Sequence, residues 1–523
     1  NANHIFNSVV DSMRQFGASL HHNGMTFFLA HIPEGTEFYH GTANPYRINS
    51  TEWLAFEPEH ALGFARPPMQ HRPGKPPPPD PGHPAKPPFP RPKRATGRTF
   101  GNQHSFQSSD DDDDDNDDDD GDNDEDGDGN HDGDEEPRPP SDKGYLHTYR
   151  TKHPLRLIYV DGQSAAKSTK GTLDTQDLVI RDPSKRYYPG GNSETPPLFR
   201  SLRRGAGPMG ELERASEMCA VANTAWDGKI HGILRMEMGF EIILCSFAHH
   251  LDLVSINTVT FRGNSSDAPP PGHNHEQMMV YMKAVAARYD GIGNHRVILD
   301  YDHMVSLYNY GDLLYFNEQG LPRVNNKSTS LSSARDAITA IAKDDDGEIY
   351  DWQGIADMLV SRYNDNIQYL ASGLMANKDE ILSLVDAVMK PFVNIDDPSP
   401  DHEVEACTAQ FWPQDLYPVT SGKNLSAAAQ SVRHVASTIC KTFSDARNAT
   451  DAISALTQFK ELEKWLDWST FKRCRGCKVD EVCVLPIWPM GTYQDYMMPN
   501  CQNKEQLGRF RGEDTYWNDT GTP

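Results

Sequence analysis

Apolar positions follow two rhythms along this chain. Ile5, Val9, Met13 and Phe16 recur at spacings of four, four and three, the face of an amphipathic helix. Met25–Ile32 is a nearly unbroken apolar run that reads as a strand, and Pro33-Glu34-Gly35-Thr36 reads as a turn. That turn delivers the chain into a short predicted strand, Glu37-Phe38-Tyr39-His40-Gly41-Thr42. Trp53–Phe56 predicts another strand, with a helical turn over Glu59–Ala65. Tyr145–Arg150 and Leu155–Gly162 predict two strands broken at Pro154. Glu211–Ala225 is helical in composition. Lys229–Met236 and Phe240–Phe247 read as a strand pair turned near Gly239, and Leu251–Ser255 extends the sheet. Beyond that the period becomes helical, over His275–Tyr289, Trp352–Ala371, Lys378–Val393, Asn424–Phe443 and Thr450–Trp468. No solenoid repeat runs through these helices. The pattern predicts an α+β protein with a sheet first and helices after it.

Two low-complexity stretches interrupt this plan. Thirteen prolines lie between Pro67 and Pro92, where the missing amide donors disfavour helix and central strand alike. Nineteen acidic residues and no Lys or Arg fill Asp110–Glu136. Neither stretch carries enough apolar surface to offset the entropy of ordering it, so a disordered insertion is expected over 67–143. Asp122-Asn123-Asp124-Glu125-Asp126-Gly127 matches the first half of an EF-hand calcium loop. Gly133 stands where the twelfth-position Glu belongs, so the run reads as a solvated acidic tract. The expected layout is a discontinuous sheet domain over 1–66 and 144–265, a helical region over 266–470, and a Cys-rich tail over 471–523.

Charge changes the picture little once the insertion is set aside. The formal net charge is −25, and only −6 remains without the acidic run, with no basic surplus to recruit nucleic acid. No run of about 18 apolar residues predicts a membrane span. Eight cysteines, four of them between Cys474 and Cys501, predict a disulfide-stapled tail rather than zinc. Six Asn-x-Ser/Thr triplets, at Asn49, Asn264, Asn326, Asn424, Asn448 and Asn518, favour the secretory pathway with them. A start at Asn1 is expected of a processed or truncated chain.

The strand ending His40-Gly41-Thr42, the strand and helix over Trp53–Ala65, the strand Leu155–Val160 and the late strand carrying Glu241 come in a particular order. That order resembles the ADP-ribosyltransferase-like fold in its His-containing branch, as in poly-ADP-ribose polymerases and RNA 2′-phosphotransferases. The layout also looks like that of uncharacterised secreted fungal proteins. The resemblance implies NAD as substrate, with ADP-ribosyl transfer or NAD glycohydrolysis as the reaction. By that resemblance His40, Gly41 and Thr42 hold the nicotinamide half of NAD. Phe64 stacks where the family has a tyrosine. Glu241 opposes the positive charge that builds on the ribose as nicotinamide leaves, a task for a fixed carboxylate in a dry cleft.

Plainer readings stand beside this one. A histidine or phenylalanine at these positions serves equally as core. Glu241 in an apolar strand is costly unless paired, with Arg235 and Arg156 as candidate partners, and Glu237 competes for the carboxylate role. Asp300-Tyr301-Asp302-His303 and Asp345-Asp346 are acidic clusters with the composition of an acid/base pair or a metal site, or of plain surface. The alternative function is a non-catalytic secreted or cell-wall binding protein on the same fold.

Overall fold

The structure, a computed structural model, describes residues 1–66, 143–181, 210–260, 275–287, 296–344, 350–375, 377–396, 398–412, 425–507 and 515–517. The expected insertion, apart from Lys143, which begins a strand, lies outside the described residues with its calcium-loop fragment, as do Asp345 and Asp346.

The strands are β1 (Asn23–Ile32), β2 (Glu37–Thr42), β3 (Glu52–Ala55), β4 (Lys143–Thr151), β5 (Leu155–Gly162), β6 (Gly232–Met236), β7 (Phe240–Leu244), β8 (Leu251–Thr260) and β9 (Ile298–Ser306). They form one nine-stranded sheet in the order β8-β4-β2-β3-β7-β6-β5-β1-β9. Every pairing is antiparallel except β5 with β6, so the sheet is mixed. Both faces are covered, which explains the unbroken apolar run of β1. Phe28, Ala30 and Ile32 enter one core while Met25, Phe27 and Leu29 enter the other.

The chain opens with α1 (Ala2–Asp11) and α2 (Gln15–Leu20), and α3 (Pro58–Leu62) follows β3. The single helix expected through Phe16 is in fact two. Met13 takes φ +54, a left-handed residue that breaks the helix and turns α2. A π-helical turn (Thr175–Ile180) and α4 (Glu211–Thr224) lie over the second core, and the one-turn α5 (Phe247–His250) precedes β8. Then come α6 (His275–Ala287), α7 (Leu331–Lys343), α8 (Trp352–Ala371), α9 (Lys378–Met389), α10 (Pro400–Ala409), α11 (Ala427–Arg447), α12 (Ala452–Leu466) and α13 (Tyr493–Met497). Side chains cap several of these: Asp351 accepts from the Gly354 amide at 2.8 Å, and Asp451 from Ser454 at 2.8 Å. Two small hairpins complete the set, β10 (Leu314–Phe316) with β11 (Pro322–Val324), and β12 (Glu481–Val484) with β13 (Asn500–Asn503).

The helical region shares a core with the sheet. Trp352, Leu359, Tyr363, Val432 and Phe443 belong to the same buried cluster as Phe6, Phe28, Phe38 and Phe240. Each fully buried side chain of this kind contributes about 1.5–3 kcal/mol relative to exposure. All eight cysteines pair, as Cys219–Cys245, Cys407–Cys440, Cys474–Cys483 and Cys477–Cys501. Two of these staple the tail as expected. Cys219–Cys245 ties α4 to the end of β7, and Cys407–Cys440 ties α10 to α11.

Candidate functional site

Strand register decides where the expected site residues go. Tyr39, Ala55, Glu241 and Arg235 are successive cross-strand partners from β2 to β6, so they share one face. His40 follows Tyr39 and therefore points to the other face, with Phe38. The Cα positions of β2 and β7 are two strand spacings apart, about 10 Å. His40 and Glu241 thus look into opposite cores.

His40 is 3% exposed, and its Nδ1 donates to the Trp53 carbonyl at 2.7 Å. Its ring centroid lies 5.7 Å from Phe247 and 6.1 Å from His147. Burial pulls its pKa down to about 4, against a smaller upward pull from the Trp53 carbonyl, so the ring is neutral at pH 7. Thr42 is also buried, and its hydroxyl accepts from the Asn44 amide at 3.2 Å. Gly41 is glycine for a reason other than ligand approach. A Cβ there would lie 1.8 Å from the Ala61 carbonyl oxygen, because α3 rests directly on the strand. Gly144 makes the same allowance on β4, 1.8 Å from the Ala65 carbonyl.

α3 brings a histidine that the sequence pattern did not single out. His60 is 3% exposed on the Glu241 face, and Glu241 raises its pKa against the larger lowering by burial. The Phe240 carbonyl also favours its protonated form, yet neither ring nitrogen completes a hydrogen bond. Phe64 is half-buried, with its ring 5.7 Å from that of His60. Gly41, Phe64 and Glu241 are therefore gathered around α3, and His40 is not.

Glu241 is held in a dense buried ion network. The fully buried Arg235 donates Nε to Glu241 at 2.9 Å and Nη1 to Gln176 at 2.8 Å, and its Nη2 binds Glu211. Glu211 also accepts from Arg214, which clasps Asp177 at 2.8 and 2.9 Å. Lys167 pairs with Glu237 and lies 3.9 Å from Glu211. Burial lowers the Lys167 pKa to about 8 against the pull of Glu211 and Glu241. Burial pushes Glu211 upward, but Arg235, Lys167 and Arg214 outweigh it and hold Glu211 well below the usual carboxylate range. Of the two partners weighed for Glu241, Arg235 is the one it has.

The acidic cluster at 300–303 is structural. Between Met304 and Asp300 the β9 register against β1 shifts, and the intervening residues bulge out. Asp300 accepts the freed amides of Asp302 and His303 at 3.0 Å and binds His303 Nδ1 at 2.7 Å. Asp302 accepts from Trp352 Nε1 at 3.0 Å.

A second polar cluster surrounds a cavity of about 90 Å³. α1 supplies His4, Asn7, Ser8 and Asp11, and His21 follows α2. Asp161 comes from the end of β5 and Asp467 from the end of α12. Tyr308, Phe316 and Tyr496 provide aromatic wall. His21 Nδ1 binds Asp11 at 2.7 Å and its Nε2 lies 3.3 Å from Asp467. Burial lowers the His21 pKa, but Asp11 and Asp467 overcome it and lift it to about 10. The side chain keeps 31% of its exposure, so solvent tempers that lift. Asp161 is 8% exposed and accepts the Thr26 amide at 2.8 Å, and burial raises its pKa to about 7. Asp467 sits at φ +45, a strained conformation held by Asn7, which donates to the Leu466 and Asp467 carbonyls at 2.9 and 3.2 Å. A carboxyl poised near neutrality beside a pinned imidazolium can accept or give a proton to a bound hydroxyl. The sequence cue was slight: His21-His22-Asn23 just before one apolar strand, and Asp161-Gly162 at the end of another.

Residues 1–275 match the family described as the YPL277C N-terminal domain. The chain belongs to that family. Among its relatives is YOR389W of Saccharomyces cerevisiae, an uncharacterised protein 25% identical over 575 residues, covering 94% of this chain and 82% of the relative. YPL277C itself, also an uncharacterised protein of Saccharomyces cerevisiae, is 31% identical over 263 residues, which is 49% of this chain and 43% of that protein. No solved structure matches. The YPL277C N-terminal match takes in β1 to β8 and the Arg235 network but ends before β9. The cavity draws Tyr308, Phe316, Asp467 and Tyr496 from beyond it.

Proposed function

We propose that the chain is a binding protein of the secretory pathway that holds a small neutral polyhydroxy compound, a monosaccharide unit or a polyol, in the cavity beside His21. The observation that carries this reading is the convergence of Asp11, Asp161, Asp467 and His21 with Tyr308, Phe316 and Tyr496 on one space. Its carboxylates are nearly balanced by His21 and the neighbouring Lys472, whose charge acts on Asp467. A balanced site does not select for ionic ligands. Its carboxylates offer hydroxyl groups acceptors, and its aromatic rings a surface to lie against. A space of about 90 Å³ suits a small ligand and lies well below the roughly 300–1,000 Å³ of a pocket for a larger organic ligand, so it does not take a dinucleotide. The four disulfides support an oxidising compartment. Asn49, Asn326 and Asn448, the sequon residues among those described, are all exposed, as glycan acceptors must be.

The test is calorimetric titration with a panel of neutral monosaccharides and polyols. At least one should bind, and Asp161→Ala should abolish its binding. If no member binds, or if binding survives Asp161→Ala in a folded protein, the reading is wrong.

A second reading is NAD-dependent ADP-ribosyl transfer or NAD glycohydrolysis. It is favoured by the element order of β2, β3 with α3, β5 and β7, and by His60 and Phe64 lying on the same face as Glu241. On this reading His60 takes the part expected of His40. Release of nicotinamide from NAD, lost in Glu241→Gln and kept in His40→Gln, would support it. No release from the wild type would end it.

A further inference from the structure

We infer that His153, His231 and His250 form a site for one late first-row divalent metal ion, Cu²⁺ or Zn²⁺, where the β4–β5 turn, the start of β6 and the end of α5 meet. Each histidine offers a ring nitrogen, and the three nitrogens lie within 4.8 Å of one another. Ligands on a zinc ion at about 2.0–2.1 Å sit roughly 3.4 Å apart, so side-chain rotations alone close the set. An all-imidazole donor set suits zinc, copper and nickel rather than calcium or magnesium, and copper is held most tightly of these.

The scaffold positions all three rings through the backbone. His153 occupies the turn between β4 and β5, His231 immediately precedes β6, and His250 ends α5. The His231 amide donates to the Arg156 carbonyl at 2.8 Å, and its carbonyl accepts from the Cys245 amide at 3.0 Å. The His250 carbonyl accepts from the Lys152 amide at 2.9 Å. The Cys219–Cys245 disulfide ties down the same corner. Three sequence-distant histidines are thereby fixed on one small patch, and half-burial leaves a face open for entry and for a fourth ligand.

Hydrogen bonds already orient the rings. His153 Nδ1 donates to the Pro154 carbonyl at 2.9 Å, which leaves its Nε2 lone pair outward. That lone pair now meets His250 Nδ1 at 3.1 Å. His231 Nδ1 accepts the Arg156 amide at 3.1 Å. Coordination displaces the His153–His250 and Arg156–His231 hydrogen bonds, each contributing only about 0.5–1.5 kcal/mol. Lys152 and Arg156 flank the cluster and weaken its hold on a cation. Asp252, 3.8 Å from Lys152, offsets part of that.

The experiment uses the untagged full chain with Cu²⁺ or Zn²⁺ alone. One equivalent should bind, and the Cu²⁺ electron paramagnetic resonance spectrum should show coupling to nitrogen. His153→Ala and His250→Ala, both at half-buried positions, should each weaken binding about tenfold or more. His402→Ala, at an exposed histidine of α10, should leave it unchanged. Circular dichroism confirms that each variant is folded. The inference fails if the wild type binds less than one equivalent, or if His153→Ala and His250→Ala both titrate like the wild type.

Discussion

Around Arg235, carboxylate and amide oxygens meet the whole guanidinium group, and the ions in reach are paired within the fold. Around His21, three carboxylates and one imidazolium line a space of about 90 Å³. The first cluster is buried, the second reaches the surface at His21 and Asp467, and both perturb pKa values. They differ in what their polar atoms face. In the first, protein groups complete one another, so the charges fix the relative positions of α4, β6 and β7. In the second, Asp11, Asp161, Asp467 and His21 also bond protein groups but line an open space. Perturbed titration is thus a poor guide to function unless the space beside the group is considered with it.

The largest effect is expected from Arg235→Met. It leaves Glu211 and Glu241 buried without their shared cation and should cost about 3–5 kcal/mol in chemical denaturation. Replacing Arg235, Glu211 and Glu241 together with apolar residues of similar size should recover much of that loss. A triple variant no more stable than the single one would mean that the network does more than hold the fold.

Next in size is the double change Cys219→Ser with Cys245→Ser. It frees α4 from β7, and with them Glu211 from Glu241, across a separation of 26 residues. About 3 kcal/mol should be lost, and ligand binding at the cavity should persist under conditions where the variant stays folded. Loss of cavity binding in the folded variant would show the two regions to be coupled.

A smaller effect separates the clusters by pH. His21 has a folded pKa of about 10 against an ordinary 6.5, raised by Asp11 and Asp467 over the opposing effect of burial. Its contribution is complete below about pH 6.5 and is lost as pH rises toward 10. Asp161 moves the other boundary. Burial raises it from 3.8 to about 7, so the folded state holds the proton more tightly and stability falls as pH rises between those values. Thermal melts at pH 4, 7 and 9.5 should show His21→Asn flattening the alkaline fall and Asp161→Asn flattening the acidic one. Unchanged profiles in both variants would contradict the assigned shifts.

The smallest change is expected from His40→Gln. It removes one buried hydrogen bond, to the Trp53 carbonyl, at a cost of about 0.5–1.5 kcal/mol. It should leave cavity binding untouched.

Much of the sheet was legible because its cues are local. The run Met25–Ile32, the break at Pro154 and the turn near Gly239 each report on their own few residues, and β1, β4, β5, β6 and β7 follow. Strand β9 was harder to see, since the Asp300–His303 bulge interrupts its alternation. The site was less legible because pairing register is not local. Nothing in His40-Gly41-Thr42 shows that Tyr39, and not His40, shares a face with Glu241. That follows only once β3 lies between β2 and β7. Likewise Gly41 signalled a close approach, but whether by a ligand or by α3 depends on a helix seventeen residues on. The cavity was hidden further, because Asp11, Asp161 and Asp467 meet only through the packing of α1, β5 and the end of α12.

The proposed function places ligand binding in the space beside His21 and not at His40 with Glu241. One calorimetric series tests it most directly, with wild type, Asp161→Ala and His40→Gln each titrated with the neutral polyhydroxy panel and with NAD. The account predicts a polyhydroxy ligand that binds wild type and His40→Gln alike, no longer binds Asp161→Ala, and is not displaced by NAD. Binding of NAD that is intact in Asp161→Ala, with no polyhydroxy ligand bound by the wild type, would contradict it.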